Sequence, residues 1–339
     1  MEHKLSRRQM IAGTVAASAL AANANAAPRT SSRPNFLVML MDDLGLHDLG
    51  FLGATDLKTP NIDGLAASGA RFTNWYSNAP VCAPARACLQ TGRVPIRAGV
   101  PNNGMALPPS EKTIASLLKP AGYETALVGK WHLGSTPDTI PNAHGYDYFY
   151  GFHAGCTDYY SHRFYWGDPR IPNYHDLWRN RDEIFENGQY LTERIAEESV
   201  RFIRANRSEP FFLCTTFNAV HYPMHAPNSY LERFRGLGEE RQMYAAMLAA
   251  ADDAVGDILA ALDEIGQRDN TLIFFLGDNG ATTEKRAGLH GQFATAGSNA
   301  PFRGYKFSVF DGGMHVPAAM SWQGKIPKGQ TIHELLMTA

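Results

Sequence analysis

The sequence predicts an α/β protein built on a doubly wound, mostly parallel sheet flanked by helices. Short apolar runs bounded by turn residues recur along the chain, segments with helical periodicity lie between them, and a polar cluster directly follows each run. Buried parallel strands are continuous apolar runs of this kind. Strands that alternate with helices favour a parallel sheet covered on both faces.

The predicted elements follow from these patterns. Four apolar runs are predicted as strands, namely Asn35–Met41, Thr125–Val128, Phe211–Thr216 and Thr271–Leu276. Apolar residues at helical spacing predict three helices between them, namely Thr113–Leu118, Leu191–Ala205 and Arg241–Ile265. The carboxyl ends of parallel strands bind ligands along one edge of the sheet, so the polar clusters after the runs are expected to converge there.

The first residues differ in composition from the rest of the chain. Arg7 and Arg8 precede an Ala-rich apolar run, residues 11–22, that ends in a tract of small residues. Paired arginines before such a run are typical of a twin-arginine signal peptide, which we expect to comprise residues 1–26. A membrane span needs ~20 strongly apolar residues, so we expect no stable membrane anchor. Export by the twin-arginine (Tat) machinery would make the protein periplasmic or secreted in a bacterium.

The composition is that of a globular enzyme. Hydrophobic residues make up 44% and charged residues 19%, and the formal net charge is -2. This charge gives no basic surface for a nucleic-acid partner. The four cysteines, Cys82, Cys88, Cys156 and Cys214, are too sparse for a disulfide framework, although one pair among the last three stays open.

Cys82 is the most informative single residue. It opens the segment Cys-Ala-Pro-Ala-Arg, and Pro84 indicates the first turn of a helix. Backbone N–H groups and the positive end of the helix dipole favour a negative charge on or beside a thiol at such a position. The same residues also fit a small buried cysteine followed by an ordinary first-turn proline.

Carboxylates follow the first and the last predicted strand. Asp42 and Asp43 come directly after one, and Asp278 and Asn279 come soon after the other. Adjacent carboxylates repel each other unless a cation or strong donors neutralise them. Four oxygen-bearing side chains without a cysteine and histidine cluster predict a hard cation, Ca²⁺ or Mg²⁺, rather than zinc. The alternative is a pair of capped turns.

Basic side chains follow the other two strands. Lys130 and His132 are two residues apart, so an extended segment would point both to one face and Trp131 to the other. A cation beside an imidazole suits an anionic substrate. His221 follows the third strand and is predicted to be functional. Nearby prolines argue against a helical metal pair with His225, which is predicted to be a loop or substrate-cleft residue.

Several of these motifs occur together in one known family. Residues 82–86 with the Thr-Gly pair at 91–92 resemble the signature of the type I sulfatases, the formylglycine-dependent arylsulfatase family of the alkaline-phosphatase-like superfamily. Residues 129–134, Gly-Lys-Trp-His-Leu-Gly, are similar to that family's second signature. Residues 303–306, Arg-Gly-Tyr-Lys, are similar to its Arg-Gly-x-Lys segment. The matches run from residue 35 to residue 317.

One further element departs from the family pattern. In the acidic-Gly-Gly element, Asp311 stands where glutamate is more usual and His315 stands where arginine is. Both positions lie outside the reacting centre that the resemblance implies. We therefore expect them to affect loop packing rather than chemistry.

The resemblance also implies roles for individual residues. The implied metal ligands, with calcium expected and magnesium second, are Asp42, Asp43, Asp278, Asn279 and the modified Cys82. Cys82 would be oxidised to formylglycine by a formylglycine-generating maturation enzyme. The implied catalytic residues are Cys82 itself, Arg86 to hold the formylglycine, Lys130, His221 and Lys306 to bind the sulfate and the leaving oxygen, and His132 as the base.

The implied reaction is hydrolysis of a sulfate monoester, on a sulfated small molecule or a glycan. It would proceed through a formylglycine-hydrate nucleophile and a sulfo-enzyme intermediate. One alternative is a phosphonate monoester or phosphodiester hydrolase, since some of these use the same cysteine motif. Another is an inactive fragment or pseudoenzyme. The loop from Tyr146 to Trp178 is rich in aromatic residues, which suits stacking on a sugar or aryl ring or simple cover for the sheet edge.

The carboxyl end carries a further expectation. Residues 332–339 have the pattern of a helix that is beginning, with no stop signal. The resemblance implies a smaller antiparallel C-terminal subdomain beyond such a point. We therefore expect residues 35–339 to form a catalytic domain that is truncated at its C-terminal end and lacks that subdomain.

Overall fold

The computed structural model describes residues 33–168 and 170–339, so the predicted signal peptide lies outside the described residues. The strands in these ranges are β1 Asn35–Met41, β2 Ala70–Phe72, β3 Trp75–Tyr76, β4 Glu124–Lys130, β5 Tyr148–Phe152, β6 Trp178–Arg179, β7 Asp182–Glu183, β8 Phe211–Thr216, β9 Thr271–Gly277, β10 Ala318–Ser321, β11 Gln330–Ile332 and β12 Leu336–Met337. The helices are α1 Pro60–Ala67, α2 Cys82–Thr91, α3 Ile114–Leu118, α4 Leu191–Ala205, α5 Asn228–Leu231, α6 Glu239–Glu264 and α7 Asp311–Met314. None of these helices combines the length and apolar character needed to cross a membrane.

Ten strands form one sheet, in the order β11-β2-β10-β9-β1-β8-β4-β5-β6-β7. The five central strands, from β9 to β5, are parallel, whereas β10 and β6 pair antiparallel to them. Val38 of β1 lies opposite Cys214 on one side and Phe274 on the other. Because the central strands share one direction, the carboxyl ends of β1, β4, β8 and β9 meet at one edge. The predicted doubly wound α/β sheet is confirmed.

Helices cover both faces of the sheet. Leu37 and Met39 of β1 pack in one core cluster with buried residues of α1, α4 and α6. Val38 and Leu40 pack on the opposite face, against clusters that include residues of α2. The alternation follows from the side-chain period of two in a strand. It explains why residues 36–41 of β1 are all apolar, since both faces of the strand are packed against other elements.

Most predicted bounds agree with the structure within two residues at either end, but the carboxyl end does not. Residues 332–339 do not begin a helix. Instead β11 pairs in parallel with β2 and β12 pairs in parallel with β3. Backbone partners far away in sequence hold this segment extended; for example, the Leu336 N–H donates to the Asn74 carbonyl at 3.0 Å. Such pairings override a weak local preference for helix.

Local features fix both ends of α2, which begins at Cys82 as predicted. Pro84 lies in its first turn, where a missing N–H costs nothing. The Ala83 N–H has no partner within the helix and donates to Asn103 Oδ1 at 3.0 Å. At the other end Gly92 has φ of 64° and its N–H donates to the Cys88 carbonyl. Cys82 is therefore held at a defined point beside the sheet edge.

We predict that Asp252 stabilises the fold by capping α1. Its Oδ2 accepts the Asn61 N–H at 3.1 Å and its Oδ1 accepts the Ile62 N–H at 2.9 Å. Asp252→Ala leaves these donors unpaired, so the free energy of unfolding in urea should fall by about 1–3 kcal/mol. The control is Asp253→Ala, which removes a partly exposed carboxylate that contacts Arg233 and Tyr230 and should change the free energy of unfolding by less than about 1 kcal/mol. Equal losses would contradict the capping role.

Candidate active site

The sheet edge gathers nine of the ten residues that the sequence singled out into one buried cluster. Asp42 and Asp43 follow β1, Lys130 ends β4, and Asp278 follows β9. Segments outside the sheet supply the rest, including Lys306. None of the nine is more than 4% exposed, and they are Asp42, Asp43, Cys82, Arg86, Lys130, His221, Asp278, Asn279 and Lys306. The tenth residue, His132, is half-buried at the side of the cluster.

Each buried carboxylate of the cluster has its own cation. The pairs are Lys130 Nζ with Asp42 Oδ2 at 2.6 Å, Lys306 Nζ with Asp43 Oδ2 at 2.9 Å, and Arg86 Nη2 with Asp278 Oδ2 at 2.9 Å. Buried charges are tolerated only when they are paired and hydrogen-bonded. The formal charges of these six groups cancel.

Arg86 ties three elements together. Its Nε and Nη2 both donate to Asp278 after β9, its Nη1 donates to the Lys130 carbonyl at 3.1 Å, and Nη2 lies 3.5 Å from Asp42 Oδ1. The guanidinium is planar and carries several donors, so one side chain can satisfy this set. Arg86 thus fastens α2 to the ends of β1, β4 and β9.

The carboxylates differ in their affinity for protons. Burial raises the pKa of Asp42, but Lys130, His221, Arg86 and Lys306 outweigh it and hold that pKa below its ordinary value. Burial raises the pKa of Asp43 despite the nearby Lys306 ammonium. Burial and the charge of Asp42 raise the pKa of Asp278 to about 7. Asp42 is therefore the acid most firmly held as an anion.

The Cys82 thiol lies between two carboxylates. Its Sγ is 3.6 Å from Asp42 Oδ1 and 3.9 Å from Asp43 Oδ1. Burial raises the pKa of the Cys82 thiol, with Lys130 and Lys306 lowering it less than burial raises it. The predicted preference for an anion at the start of α2 does not apply to this thiol, because loss of solvent outweighs the helix dipole. The unmodified side chain is a neutral thiol and a poor nucleophile.

His221 and Lys306 contact each other beside Asp43. His221 Nδ1 lies 2.7 Å from the Tyr222 carbonyl, which can only accept, so this nitrogen carries the proton. His221 Nε2 is then the acceptor for Lys306 Nζ at 3.2 Å. Burial and the charge of Lys306 lower the pKa of His221, which keeps the imidazole neutral. Of the two groups, Lys306 is the one with protons to donate.

Lys130 and His132 reach the site differently from the prediction. The extended conformation stops at Lys130, and His132 has φ of 60°, so the expectation of one extended face was wrong at His132. Trp131 does turn away from the site, into the core under β4. Burial, with help from Lys130, lowers the pKa of His132 well below its ordinary value. Its Nδ1 has no partner within residues 33–168 and 170–339.

The donor set fits a hard cation. Asn279 Oδ1 is buried and has no hydrogen-bond partner in the described ranges, whereas Asn279 Nδ2 donates to Asp43 Oδ1 at 2.7 Å. Ligand atoms of Asp42, Asp43, Cys82 and His221 all lie within 4.8 Å of one another. Carboxylate and amide oxygens are the ligands that Ca²⁺ and Mg²⁺ prefer. An oxygen without a partner in a buried site is explained if it ligates a cation.

A cleft of about 500 Å³ opens above the cluster. Cys82, His132, His221 and Lys306 lie on its floor and sides. Phe164 and Trp166 of the aromatic loop also line it, whereas Tyr159 is fully buried and donates its hydroxyl hydrogen to the carbonyl of residue 218 or 221. Of the aromatic side chains predicted to stack on a substrate ring, Phe164 and Trp166 can therefore do so, whereas Tyr159 cannot.

Several cleft residues had no predicted role in the site, and three of them carry an imidazole, a thiol or a guanidinium group. His153, Cys156 and Arg286 line the cleft. Arg286 follows Asp278 by eight residues in a polar loop, and a basic residue so close after a strand-end carboxylate is the only sequence pattern that points to it. His153 and Cys156 follow β5, a strand that the sequence analysis did not predict.

The other residues that the sequence analysis discussed lie outside the cluster. His225 lies 3.3 Å from Asp158 and is not among the residues lining the cleft. All four cysteines are free thiols, so the open disulfide pair does not form in this structure. Asp311 Oδ1 accepts the Tyr76 hydroxyl at 2.8 Å, and the His315 ring stacks on the Tyr76 ring. The two departures from the family pattern thus pack against β3, outside the cluster.

We predict that Arg86 stabilises the protein as well as shaping the site. Arg86→Met leaves Asp278 buried without its cation, so the free energy of unfolding in metal-free buffer should fall by about 3–5 kcal/mol. Urea denaturation monitored by fluorescence measures this loss. The control is Arg93→Met just beyond α2, which removes an ion pair whose arginine is 48% exposed and should change the free energy by less than about 1 kcal/mol. A similar small effect for both variants would refute the role of Arg86.

Comparisons with known proteins agree with this geometry. A protein-family model described as Sulfatase matches residues 34–337. N-acetylgalactosamine-6-sulfatase from Homo sapiens is 38% identical over 327 residues, an alignment that covers 89% of this chain and 59% of that enzyme. The chain therefore spans less than two thirds of the length of this relative.

Solved structures show the same fold. Ps i-CgsB, in complex with k-i-k-neocarrahexaose, superposes with a TM-score of 0.83 at 33% identity, covering 91% of this chain and 70% of that one. PsFucS1 sulfatase from Pseudoalteromonas sp. gives a TM-score of 0.76 at 28% identity, covering 98% and 70%. Together with the family model, which matches almost every described residue, these similarities establish that the chain belongs to the sulfatase family.

Proposed function

We propose that the protein hydrolyses sulfate monoesters of aryl or carbohydrate alcohols to the alcohol and inorganic sulfate. The observation that carries this proposal is the cleft floor, where Cys82 lies beside Lys306, His221 and His132. A sulfate ester is a stable anion, so a catalyst must place cations around its oxygens and present a nucleophile in line with the leaving group. The cluster offers both at one point.

We propose further that Cys82 is oxidised to formylglycine by a maturation enzyme. The hydrate of formylglycine supplies one hydroxyl that attacks sulfur and a second whose deprotonation releases sulfate. Two features of this chain support the assignment. The thiol is buried at the start of α2 beside two carboxylates, and its raised pKa leaves it ineffective as a nucleophile in its own right.

The cations have separate tasks in this proposal. Lys130 is paired with Asp42, and Lys306 is paired with the neighbouring Asp43. We assign both lysines to bind sulfate oxygens. Arg86 lies below them, held by Asp278, and fixes the nucleophile's helix. These charges are already in place before a substrate binds, so little reorganisation is needed as charge develops in the transition state.

We assign the two proton transfers to different residues, Lys306 as the acid and His132 as the base. Lys306 donates to His221 and Asp43 in the resting protein, and we assign it to protonate the leaving oxygen. His221 accepts at Nε2 and holds the Lys306 ammonium in place. His132 lines the cleft with an unpaired Nδ1 and is assigned as the base. The lowered pKa keeps His132 unprotonated, as a base must be, although a general base acts best when its pKa is close to the working pH.

We propose calcium as the resident ion, with magnesium second. The residues that would hold it are Asp42, Asp43, Asp278, Asn279 and the modified Cys82. When bound, the cation lowers the pKa of the nucleophilic hydroxyl and polarises the sulfate. The unpartnered Asn279 Oδ1 is the feature of this chain that supports a metal here.

The export, cellular location and processing of the protein are also proposed. Residues 1–26 are assigned as a twin-arginine signal peptide and residues 35–339 as the catalytic domain. This route exports folded proteins, which fits a cysteine that is modified before export. The protein would then act in the bacterial periplasm or outside the cell, on a sulfated glycan or small molecule.

The substrate assignment predicts a preference among esters of one phenol. Sulfate, phosphonate and phosphodiester esters of 4-nitrophenol are compared with protein produced alongside a maturation enzyme, and N-acetylgalactosamine 6-sulfate is added because the human relative is named for it. We expect a kcat/KM for a sulfate monoester at least about tenfold above either phosphorus ester, because the site carries fixed cations for a sulfate monoester. Faster turnover of a phosphorus ester would identify the protein as the alternative hydrolase.

Two cysteine variants control this experiment. Cys82→Ala removes the precursor of the nucleophile and should abolish sulfate release. Cys88→Ala changes a buried thiol of the same helix that lies outside the cleft, and it should retain activity. Loss of activity in both variants would point to damage to α2 rather than to chemistry at residue 82. Absence of activity in the matured wild type would support an inactive fragment.

The metal assignment predicts stabilisation by calcium. A ligand at 100 times its Kd stabilises the folded state by about 2.7 kcal/mol, so CaCl₂ should raise Tm relative to EDTA. Asn279→Ala removes the unpartnered oxygen and should reduce this shift, whereas Asn228→Ala on the exposed start of α5 should keep it. Thermal unfolding of the three proteins measures the effect. An identical shift in Asn279→Ala would exclude this residue as a ligand.

A further inference from the structure

Arg286 lines the cleft but has no task in the proposed reaction. It lies in the loop after β9, and the same cleft contains Cys82 and Lys306. Its side chain is 23% exposed, so it is neither a core residue nor a freely solvated surface arginine. A partly buried cation that lines a cleft is a candidate for binding an anionic ligand.

Two aromatic rings lie close to the guanidinium of Arg286. Its Cζ lies 3.7 Å from the centre of the Trp166 ring and 5.3 Å from that of Tyr222. Phe164 stacks on Trp166 at 6.2 Å, and Tyr222 packs against His221 with ring centres 4.0 Å apart. Stacking of this kind restricts an arginine to one plane before any ligand arrives. The N–H bonds of a guanidinium lie in its plane, so an anion hydrogen-bonds to its edge and not to the face against Trp166.

Only some of the N–H groups of the Arg286 guanidinium have a hydrogen-bond partner among the described residues. Nη2 donates to Glu284 Oε1. Nε is buried and has no hydrogen-bond partner in the part of the chain that the structure describes. An unpaired buried donor costs free energy, and a charged one costs more. A ligand oxygen in the cleft would remove that cost.

Arg286 is close to the reacting cluster. Glu284, its ion-pair partner, also lies 3.8 Å from Lys306 Nζ. Lys306 Nζ lies 5.7 Å from the Tyr222 ring centre, so both cations sit against one tyrosine ring. Two cations share the single carboxylate of Glu284 here. Because Lys306 is also paired with Asp43, these four charges balance, and this end of the cleft offers an anion the N–H donors of Arg286 and not a net positive charge.

We propose that Arg286 binds a second anionic group of the substrate. The preferred substrates are then sulfate esters whose alcohol part carries a carboxylate or another sulfate near the scissile ester. This inference rests on the proposed sulfatase activity and names its substrate class. The planar, multidentate edge of a guanidinium matches the paired oxygens of either group, because its N–H donors lie in one plane.

The test compares three substrates, one without a second anion and two that carry one. They are N-acetylgalactosamine 6-sulfate, its 4,6-disulfate, and the 6-sulfate linked to a hexuronic acid. Sulfate release is measured for the wild type, Arg286→Met, Arg286→Lys and Lys285→Met. The last variant removes the same charge from an exposed neighbour that does not line the cleft.

We expect the wild type to prefer one or both dianionic substrates over the singly sulfated sugar, mainly through a lower KM. Arg286→Met should reduce that preference about 10- to 100-fold, the range for a lost charge-assisted hydrogen bond. Arg286→Lys should reduce it less, and Lys285→Met should leave it unchanged. The substrate with the larger change identifies the second anion as a sulfate or a carboxylate. An equal loss on all three substrates, or no preference in the wild type, would overturn the proposal.

A binding measurement separates this proposal from the proposed activity. Calorimetry with Cys82→Ala, and with the same variant carrying Arg286→Met, reports affinity for the three sugars without turnover. Tighter binding of a dianion that depends on Arg286 would support the subsite even if no substrate were hydrolysed. Equal affinity for one and two anionic groups would refute it. Near-ultraviolet circular dichroism checks that the aromatic packing around residue 286 persists in each variant.

Discussion

The structure depends on the mutual neutralisation of three carboxylates and three cations at one edge of the sheet. A buried carboxylate without a partner costs several kcal/mol, so each acid that follows a central strand requires a cation from elsewhere in the chain. Arg86 comes from α2, Lys130 from the next-but-one strand in the sheet, and Lys306 from a loop near the carboxyl end. The same pairs therefore close the fold and assemble the site. This is why segments more than 200 residues apart in the sequence meet within one hydrogen-bond length.

The balanced charges also prepare the site for an anionic ligand. The acids hold the ammonium and guanidinium groups in fixed positions, while the half-buried His132 and the cleft above it stay accessible. A divalent cation among the same acids would shift this balance toward positive charge. An incoming sulfate ester would then meet an excess of positive charge that the protein has already oriented. Arg286 adds a further hydrogen-bond donor to the cleft, close to the rings of Trp166 and Tyr222.

Sequence reasoning succeeds where local pattern and sheet topology determine the outcome. Continuous apolar runs such as Asn35–Met41 identified four of the five central strands, and the rule for parallel sheets predicts that their polar ends lie together. Sequence reasoning fails where contacts between residues far apart in the sequence determine the conformation. The left-handed backbone at His132, the pairing of residues 336–337 with β3, and the stacking of Arg286 each depend on neighbours that no local window contains. The roles of individual site residues came from the family resemblance and not from the pattern.

The central claim is that residue 82 reacts as an aldehyde hydrate and not as a thiol. Mass spectrometry of the peptide that contains Cys82, from protein produced with a formylglycine-generating enzyme, tests it most directly. We predict that this peptide has the lower mass of the aldehyde and that the peptide's fraction in that form parallels the specific activity of each preparation. An unmodified Cys82 in protein that releases sulfate at full rate would contradict the account.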